Sequence, residues 1–131
     1  TVEPLLQRLQ GPRERRWTCL VCKHAMMSQA ASIAAEHDAH GIVMGDSLGQ
    51  VASQTLRNLE AVSQGIGLPI HRPLIGMDKL EISALATRVG LNEPPERAST
   101  PCPYVPNSPV TRAPVDSFAA LWDRLARVEE A

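Results

Sequence analysis

A small α/β unit with a parallel sheet is the fold class this sequence predicts, and three observations predict it. Gly41-Ile42-Val43-Met44-Gly45 is a short apolar run bounded by glycines, the pattern of a strand buried in a parallel sheet. Leu68 to Leu74 is a second such run, with Pro69 at its start and Pro73 at its end, where a strand tolerates proline. Helical periodicity surrounds both runs, so the order is helix, strand, helix, strand, helix.

Each element has its own warrant. Residues 3–10 are weakly helical and are ended by Gly11-Pro12. From Cys19 onward, Cys19, Cys22, Met26, Ala30, Ile33 and His37 recur every three or four residues, which predicts one buried face of an Ala-rich helix. A polar loop, Asp46 to Gln50, leads to a second helix expected over Val51 to Ser63. Asp78 is set to cap a third helix, with Glu81 as its capping-box partner and Gly90 as its stop. The inward stripe of that helix is Ile82, Leu85, Ala86 and Val89. Residues 91–115 form a proline-rich loop that carries the third cysteine, and a last amphipathic helix from Asp116 turns Phe118, Leu121, Trp122 and Leu125 inward. Two strands make half a sheet, whose edge stays open unless another segment pairs with it.

Composition narrows the function classes. The chain has 131 residues, enough for one small core, and 44% are hydrophobic while only 3% are aromatic, so Leu, Ile, Val, Ala and Met must build that core. A formal net charge of −1 gives no overall positive field to hold RNA. The local basic cluster Arg8, Arg13, Arg15, Arg16 and Lys23 is either solvated surface or a phosphate contact. No 18-residue apolar run and no charged-then-apolar leader occur, so the expectation is a cytoplasmic protein with no membrane partner. Three cysteines do not make a disulfide framework and read better as metal, cluster or redox ligands in a reducing compartment. The first residue is Thr rather than Met, which fits a piece of a longer polypeptide.

Two constellations carry chemistry. Cys19-Leu20-Val21-Cys22 falls at the start of a predicted helix, where the helix dipole and Lys23 would favour thiolate over thiol. The alternative is a pair of inert cysteines on a buried face. A zinc finger is rejected: the spacing C-x2-C-x14-H-x2-H through His37 and His40 misses the usual window, and no hairpin precedes the helix. His37 is expected on the helix surface or at its end, and His24, His40 and His71 show no ligand spacing. The second constellation, Gly45-Asp46-Ser47-Leu48-Gly49-Gln50, follows the first predicted strand, where open α/β sheets bind ligands. Small residues let the backbone approach a ligand, and Asp46 and Ser47 can meet a ribose, metal or phosphate; an ordinary strand-to-helix turn has the same composition.

A continuous stretch from about Cys19 to Arg112 resembles a known family. Its marks are Gln50-Val51-Ala52-Ser53-Gln54-Thr55-Leu56 with Asn58-Leu59, then Arg72-Pro73-Leu74-Ile75-Gly76-Met77-Asp78-Lys79. The Cys-x-x-Cys-Lys opening, Pro101-Cys102 and Ser108-Pro109-Val110-Thr111 belong to the same pattern. These motifs are similar to those of the 4-thiouridine synthetases, the tRNA sulfurtransferases. The resemblance implies a Rossmann-like sheet unit of the adenine-nucleotide alpha-hydrolase type, here the carboxyl-terminal part of the adenylation domain.

The same resemblance implies the chemistry. Members adenylate a uridine carbonyl of tRNA with ATP and Mg2+, and a sulfur nucleophile then displaces AMP. Lys23, Gly45 and Gln54 match nucleotide-contacting positions; Lys79 matches a lysine needed for activity, and Asp46 joins it as a candidate catalytic residue beside Cys102. Cys102 matches the cysteine of sulfur transfer, and with Cys19 and Cys22 it resembles the three-cysteine set that holds a 4Fe-4S or 3Fe-4S cluster in archaeal-type members. The partners implied are tRNA, a sulfur donor (a persulfide protein or hydrosulfide), and a segment or subunit bearing the phosphate loop and the RNA-binding THUMP region, or a second copy in a homodimer. The S-G-G-x-D-S phosphate loop itself does not occur in this sequence. His24 stands where arginine is common, and Leu91 follows Gly90 where threonine is usual. A non-catalytic metal- or cluster-binding module derived from the family is the other reading these residues allow.

Overall fold

The computed structural model describes residues 1–91 and 102–127. The amino-terminal stretch forms two short helices, α1 (Glu3–Gln7) and α2 (Gly11–Arg15). Gly11-Pro12, expected as a stop, instead opens α2. Proline suits the first helical turn, where its missing N–H would have had no partner.

The expected long helix is present as α3 (Thr18–Glu36). Its buried face differs from the expected one. Leu20, Val21, His24, Ala25, Met27 and Ala34 are buried, whereas Met26 and Ile33 are about half exposed at 49% and 56%. The reason is chemical: polar Lys23 and His24 lie on the inward face because each finds a buried partner, so a count of apolar residues selects the wrong stripe. The helix ends with Asp38 in a left-handed conformation (φ 53°), and the Ala39 amide closes the motif on the Ala34 carbonyl at 2.8 Å.

Strands β1 (Ile42–Val43) and β2 (Ile70–His71) are parallel, with Ile42 opposite Ile70 and Val43 opposite His71. The parallel pairing agrees with the sequence reading, but each strand is only two residues long. Pro69 and Pro73 have no N–H to extend a ladder, and glycines bracket β1. Burial on both faces is also corrected. Ile42 is buried, but Val43 is 72% exposed, because α3 packs on one side of β1 and nothing among the described residues buries the other.

Between the strands, a 3₁₀ turn (Ala52–Gln54) precedes α4 (Leu56–Ser63). The single expected helix is thus split. Thr55 is extended and caps α4, its side chain accepting the Asn58 amide at 3.2 Å. Helix α5 (Lys79–Arg88) begins with the expected capping box between Asp78 and Glu81 and stops where Gly90 takes φ 80°, a conformation costly for any residue with a Cβ. Its stripe is shallower than expected: Ile82, Leu85 and Ala86 are half-buried and Val89 is exposed. Residues 92–101 of the proline-rich loop lie outside the described residues.

Helix α6 (Val115–Ala126) closes the core as expected, with Phe118 and Leu125 buried and Leu121 and Trp122 half-buried. A single apolar cluster joins Leu5, Leu6 and Leu9 to α3, α4 and α6. Helix α4 packs against both α3 and α6, and α3 packs on β1. No described helix is long and apolar enough to cross a membrane.

Candidate functional site

The carboxyl ends of both strands meet α3 at a buried ionic hub. Asp46, three residues beyond β1, pairs through one oxygen with the Lys23 ammonium and through the other with Arg72 Nε at 2.9 Å. Lys23 and Asp46 are 7% and 3% exposed. Burying a lone charge costs several kcal/mol, so each of these groups is tolerated only with its partner. Two cations against one carboxylate leave a local formal charge of +1 where an α/β sheet binds its ligands.

The loop after β1 is tied down by hydrogen bonds. Ser47 Oγ donates to the Met77 carbonyl, and the Ser47 amide donates to Gln54 Oε1 at 3.3 Å. The Leu48 amide donates to the Ile75 carbonyl, and the Gly49 amide to that of Gln54, both at 3.0 Å. These bonds bring together four sequence-predicted residues, Lys23, Gly45, Asp46 and Gln54. Gly45 is exposed, and a Cβ built on it would meet nothing within 4 Å, so the approach to its backbone is open. Lys79 is exposed on the first residue of α5, two positions after Met77.

Cys19 and Cys22 lie on the first turns of α3, just before Lys23, and Cys102 lies in the loop ahead of α6. Cys19 and Cys22 are half-buried, Cys102 is exposed, and all three are free thiols. Burial, and then a negative charge at Cys102, pushes both the Cys19 and Cys22 thiols up from 9.0. The expected bias toward thiolate is therefore reversed. Lys23 spends its charge on Asp46, and desolvation outweighs the helix dipole. Among the described residues no three His, Cys, Asp or Glu side chains form a group that could hold a metal ion.

Four residues have roles the sequence did not reveal. Arg72 sat within a recognised motif, but its ion pair with Asp46 depends on the strand register. Asn58 is fully buried: its Nδ2 donates to the Ala52 and Val110 carbonyls at 2.6 and 2.7 Å, and its Oδ1 accepts the Ala113 amide at 2.9 Å. It thereby fastens the segment after Cys102 to α4, helped by Thr55 Oγ1 donating to the Thr111 carbonyl at 2.7 Å. His24 is buried edge-on to Phe118 and Trp122, with ring centroids 5.4 and 4.3 Å away. Its Nδ1 is 2.7 Å from the Val62 carbonyl, an acceptor only, so Nδ1 carries the proton. Tyr104 donates its hydroxyl to Glu3 Oε1 at 2.6 Å. Asn58 was visible as a family mark and His24 as a departure from the family pattern, but neither residue, nor Tyr104, carried a signal for its contacts.

Residues 2–126 match the family described as thiamine biosynthesis protein (ThiI). The chain belongs to the ThiI family. A probable tRNA sulfurtransferase of Thermococcus kodakarensis is 44% identical over 120 residues, covering 92% of this chain and 32% of the relative. One from Methanocaldococcus jannaschii is 38% identical over 97% of the chain and 33% of its own length. One from Thermus thermophilus is 50% identical over 108 residues, 26% of its length. The chain thus spans about a third or less of the curated ThiI relatives it matches. A crystal structure of a 4-thiouridine synthetase–RNA complex with bound ATP is similar over 99% of this chain and 35% of that one, with a TM-score of 0.74 and 28% identity. That likeness covers both strands and the helices around them, and agrees with the Rossmann-like unit the sequence predicts.

Proposed function

We propose that this chain supplies the cysteine-bearing part of an ATP-dependent tRNA sulfurtransferase that forms 4-thiouridine. The observation that carries the reading is the net-positive hub of Lys23, Asp46 and Arg72 at the carboxyl ends of a parallel strand pair, with the free thiols Cys19 and Cys22 on the same helix as Lys23. A relative with bound ATP and RNA supports it.

In the reaction proposed, uridine O4 attacks the α-phosphorus of ATP and pyrophosphate leaves. A sulfur nucleophile then adds at C4, and the C4–O bond breaks to release AMP. The open backbone at Gly45, the Gln54 amide and the Lys23–Arg72 charge form one wall for the nucleotide. Lys79, exposed at the start of α5, neutralises charge on the phosphates or on departing AMP. Asp46 has both oxygens engaged, so its part is to position Lys23 and Arg72 rather than to move a proton or bind Mg2+. Cys102 is the exposed thiol and is placed to carry or receive sulfur. Cys19, Cys22 and Cys102 have the all-thiol donor chemistry of a 4Fe-4S or 3Fe-4S site but do not stand together as a metal-holding group, so they would hold a cluster only once Cys102 closes on the other two; such a cluster, when bound, would supply a place to keep hydrosulfide. The phosphate loop and the THUMP region would come from a further segment or subunit, with a persulfide protein or hydrosulfide as sulfur donor.

The deciding measurement is the 4-thiouridine content of tRNA from cells lacking the gene, then from cells restored with Cys102→Ser or Lys79→Ala. Loss without the gene and no rescue by either variant are expected. Normal 4-thiouridine in the deletion strain refutes the reading. Anaerobic purification with iron and sulfide analysis of Cys19→Ala, Cys22→Ala and Cys102→Ala decides separately whether the thiols hold a cluster.

A further inference from the structure

A cavity beside the ionic hub shares no lining residue with it, but Thr18 on its wall precedes Lys23 by only five residues of α3, about 7.5 Å of helix rise. It measures about 740 Å3 and lies between the α1–α2 corner and the strap of residues 103–108. One wall starts with Pro103, next to Cys102, and the other includes Thr18, next to Cys19. A cavity of this size accepts a ligand as large as a nucleotide.

Its lining suits one. Leu6, Leu9 and Pro106 give apolar walls. Tyr104 presents a ring held at its far end, because its hydroxyl donates to Glu3 Oε1 at 2.6 Å. Arg15 and Asn107 also face the cavity, and neither side chain has a hydrogen bond or ion pair among the described residues.

We propose that this cleft receives the target uracil nucleotide of the RNA, with Tyr104 stacking on the base, Asn107 reading it and Arg15 meeting its phosphate. The inference rests on the thiolation reading above. Enzymes that act on a base draw it out of the stack into a pocket of aromatic and apolar side chains. Uracil presents an acceptor at O2 and a donor at N3. One carboxamide satisfies both, its NH2 to O2 and its oxygen to N3–H. Cytosine presents two acceptors there, so the same amide leaves one of them facing its oxygen. Reading the O2–N3 edge also leaves O4, the oxygen to be replaced, free to face the Cys102 rim.

The test is titration of the 131-residue chain with uridine 5′-monophosphate, cytidine 5′-monophosphate and uridine, followed by backbone amide shifts in NMR spectra. Saturable binding of the uridine nucleotide is expected, with the largest shifts over residues 103–108 and about tenfold weaker binding of the cytidine nucleotide. Asn107→Ala should abolish that preference. Arg15→Ala should weaken the nucleotide but not uridine. Both positions are exposed, and unchanged melting temperatures will show that the variants fold. No saturable binding, equal affinity for the two nucleotides, or shifts confined to residues 45–50 overturns the cleft assignment. The tRNA assay reads independently: 4-thiouridine lost with the gene but no nucleotide bound in the cleft leaves the proposed reaction standing and removes only this site.

Discussion

Replacing Asn58 with Leu should be the most damaging conservative change in the α4 region. The swap keeps the branched shape and opens no cavity, while its two larger methyl groups add some overpacking at this fully buried site. What is lost is three hydrogen bonds, to the Ala52 and Val110 carbonyls and from the Ala113 amide. Ala113 is 1% exposed, so its N–H is left without a partner at a cost of about 2 kcal/mol. The carbonyls belong to half-buried residues and can recruit water, adding about 1 kcal/mol together. A loss of about 3 kcal/mol lowers the melting temperature of a domain this size by roughly 12 °C. Urea and thermal unfolding followed by circular dichroism measure it, and hydrogen exchange should show the Ala113 amide losing protection. Asn58→Asp should be worse near neutral pH, since it places a third acceptor against two carbonyls, and should recover partly on acidification as the new carboxyl gains a proton. A loss under 1 kcal/mol for Asn58→Leu would refute the argument that this side chain fastens the strap.

Three further outcomes are expected. Asp46→Asn strands two cations, one buried and one largely so, and should destabilise by about 3 kcal/mol or more, while a Lys23→Met, Asp46→Leu, Arg72→Met triple change should recover much of that in equilibrium unfolding. Burial holds His24 below its usual 6.5, despite the Val62 carbonyl that favours its charged form. The unfolded chain therefore binds more protons than the folded one between the depressed pKa and 6.5, so stability should be full above about pH 6.5 and fall as pH drops through that window, a slope that His24→Phe should remove from a pH series of melting temperatures. Asp38→Gly relieves the left-handed backbone at φ 53° and should raise stability by about 1 kcal/mol in urea titrations.

How much of this was legible in the sequence follows from which forces are local. The capping box at Asp78 and Glu81, the Gly90 stop and the amphipathic α6 depend on neighbours within a few residues, and their spacing announced them. The parallel pairing of β1 with β2 could be read from two apolar runs and a helix between them. Strand length could not, because the prolines that bound β2 remove donors only once a partner strand is in place. The inward face of α3 was misread for a similar reason: Lys23 and His24 are buried through contacts with Asp46 and Val62, 23 and 38 residues away. Site residues Lys23, Gly45, Asp46 and Gln54 were recognisable from family motifs and do assemble. The occupied state of both Asp46 oxygens, and the raised rather than lowered thiols, required the fold to be known.

The pinned ring of Tyr104 has a mechanical consequence for Cys102. Its hydroxyl is held by Glu3 on α1, and Cys102 is only two residues away. The Cys102 carbonyl also accepts the Val105 amide at 3.3 Å, so residues 102–105 form a closed turn that keeps Cys102 within about 7 Å of Tyr104, the most that two residues can span. One sulfur in a sphere of that radius corresponds to an effective concentration of about 1 M, before any orientation is imposed. Under the role proposed for Cys102, sulfur delivery would be a local search, and inserting two glycines between Cys102 and Tyr104 would dilute it severalfold with every side chain of the site left in place.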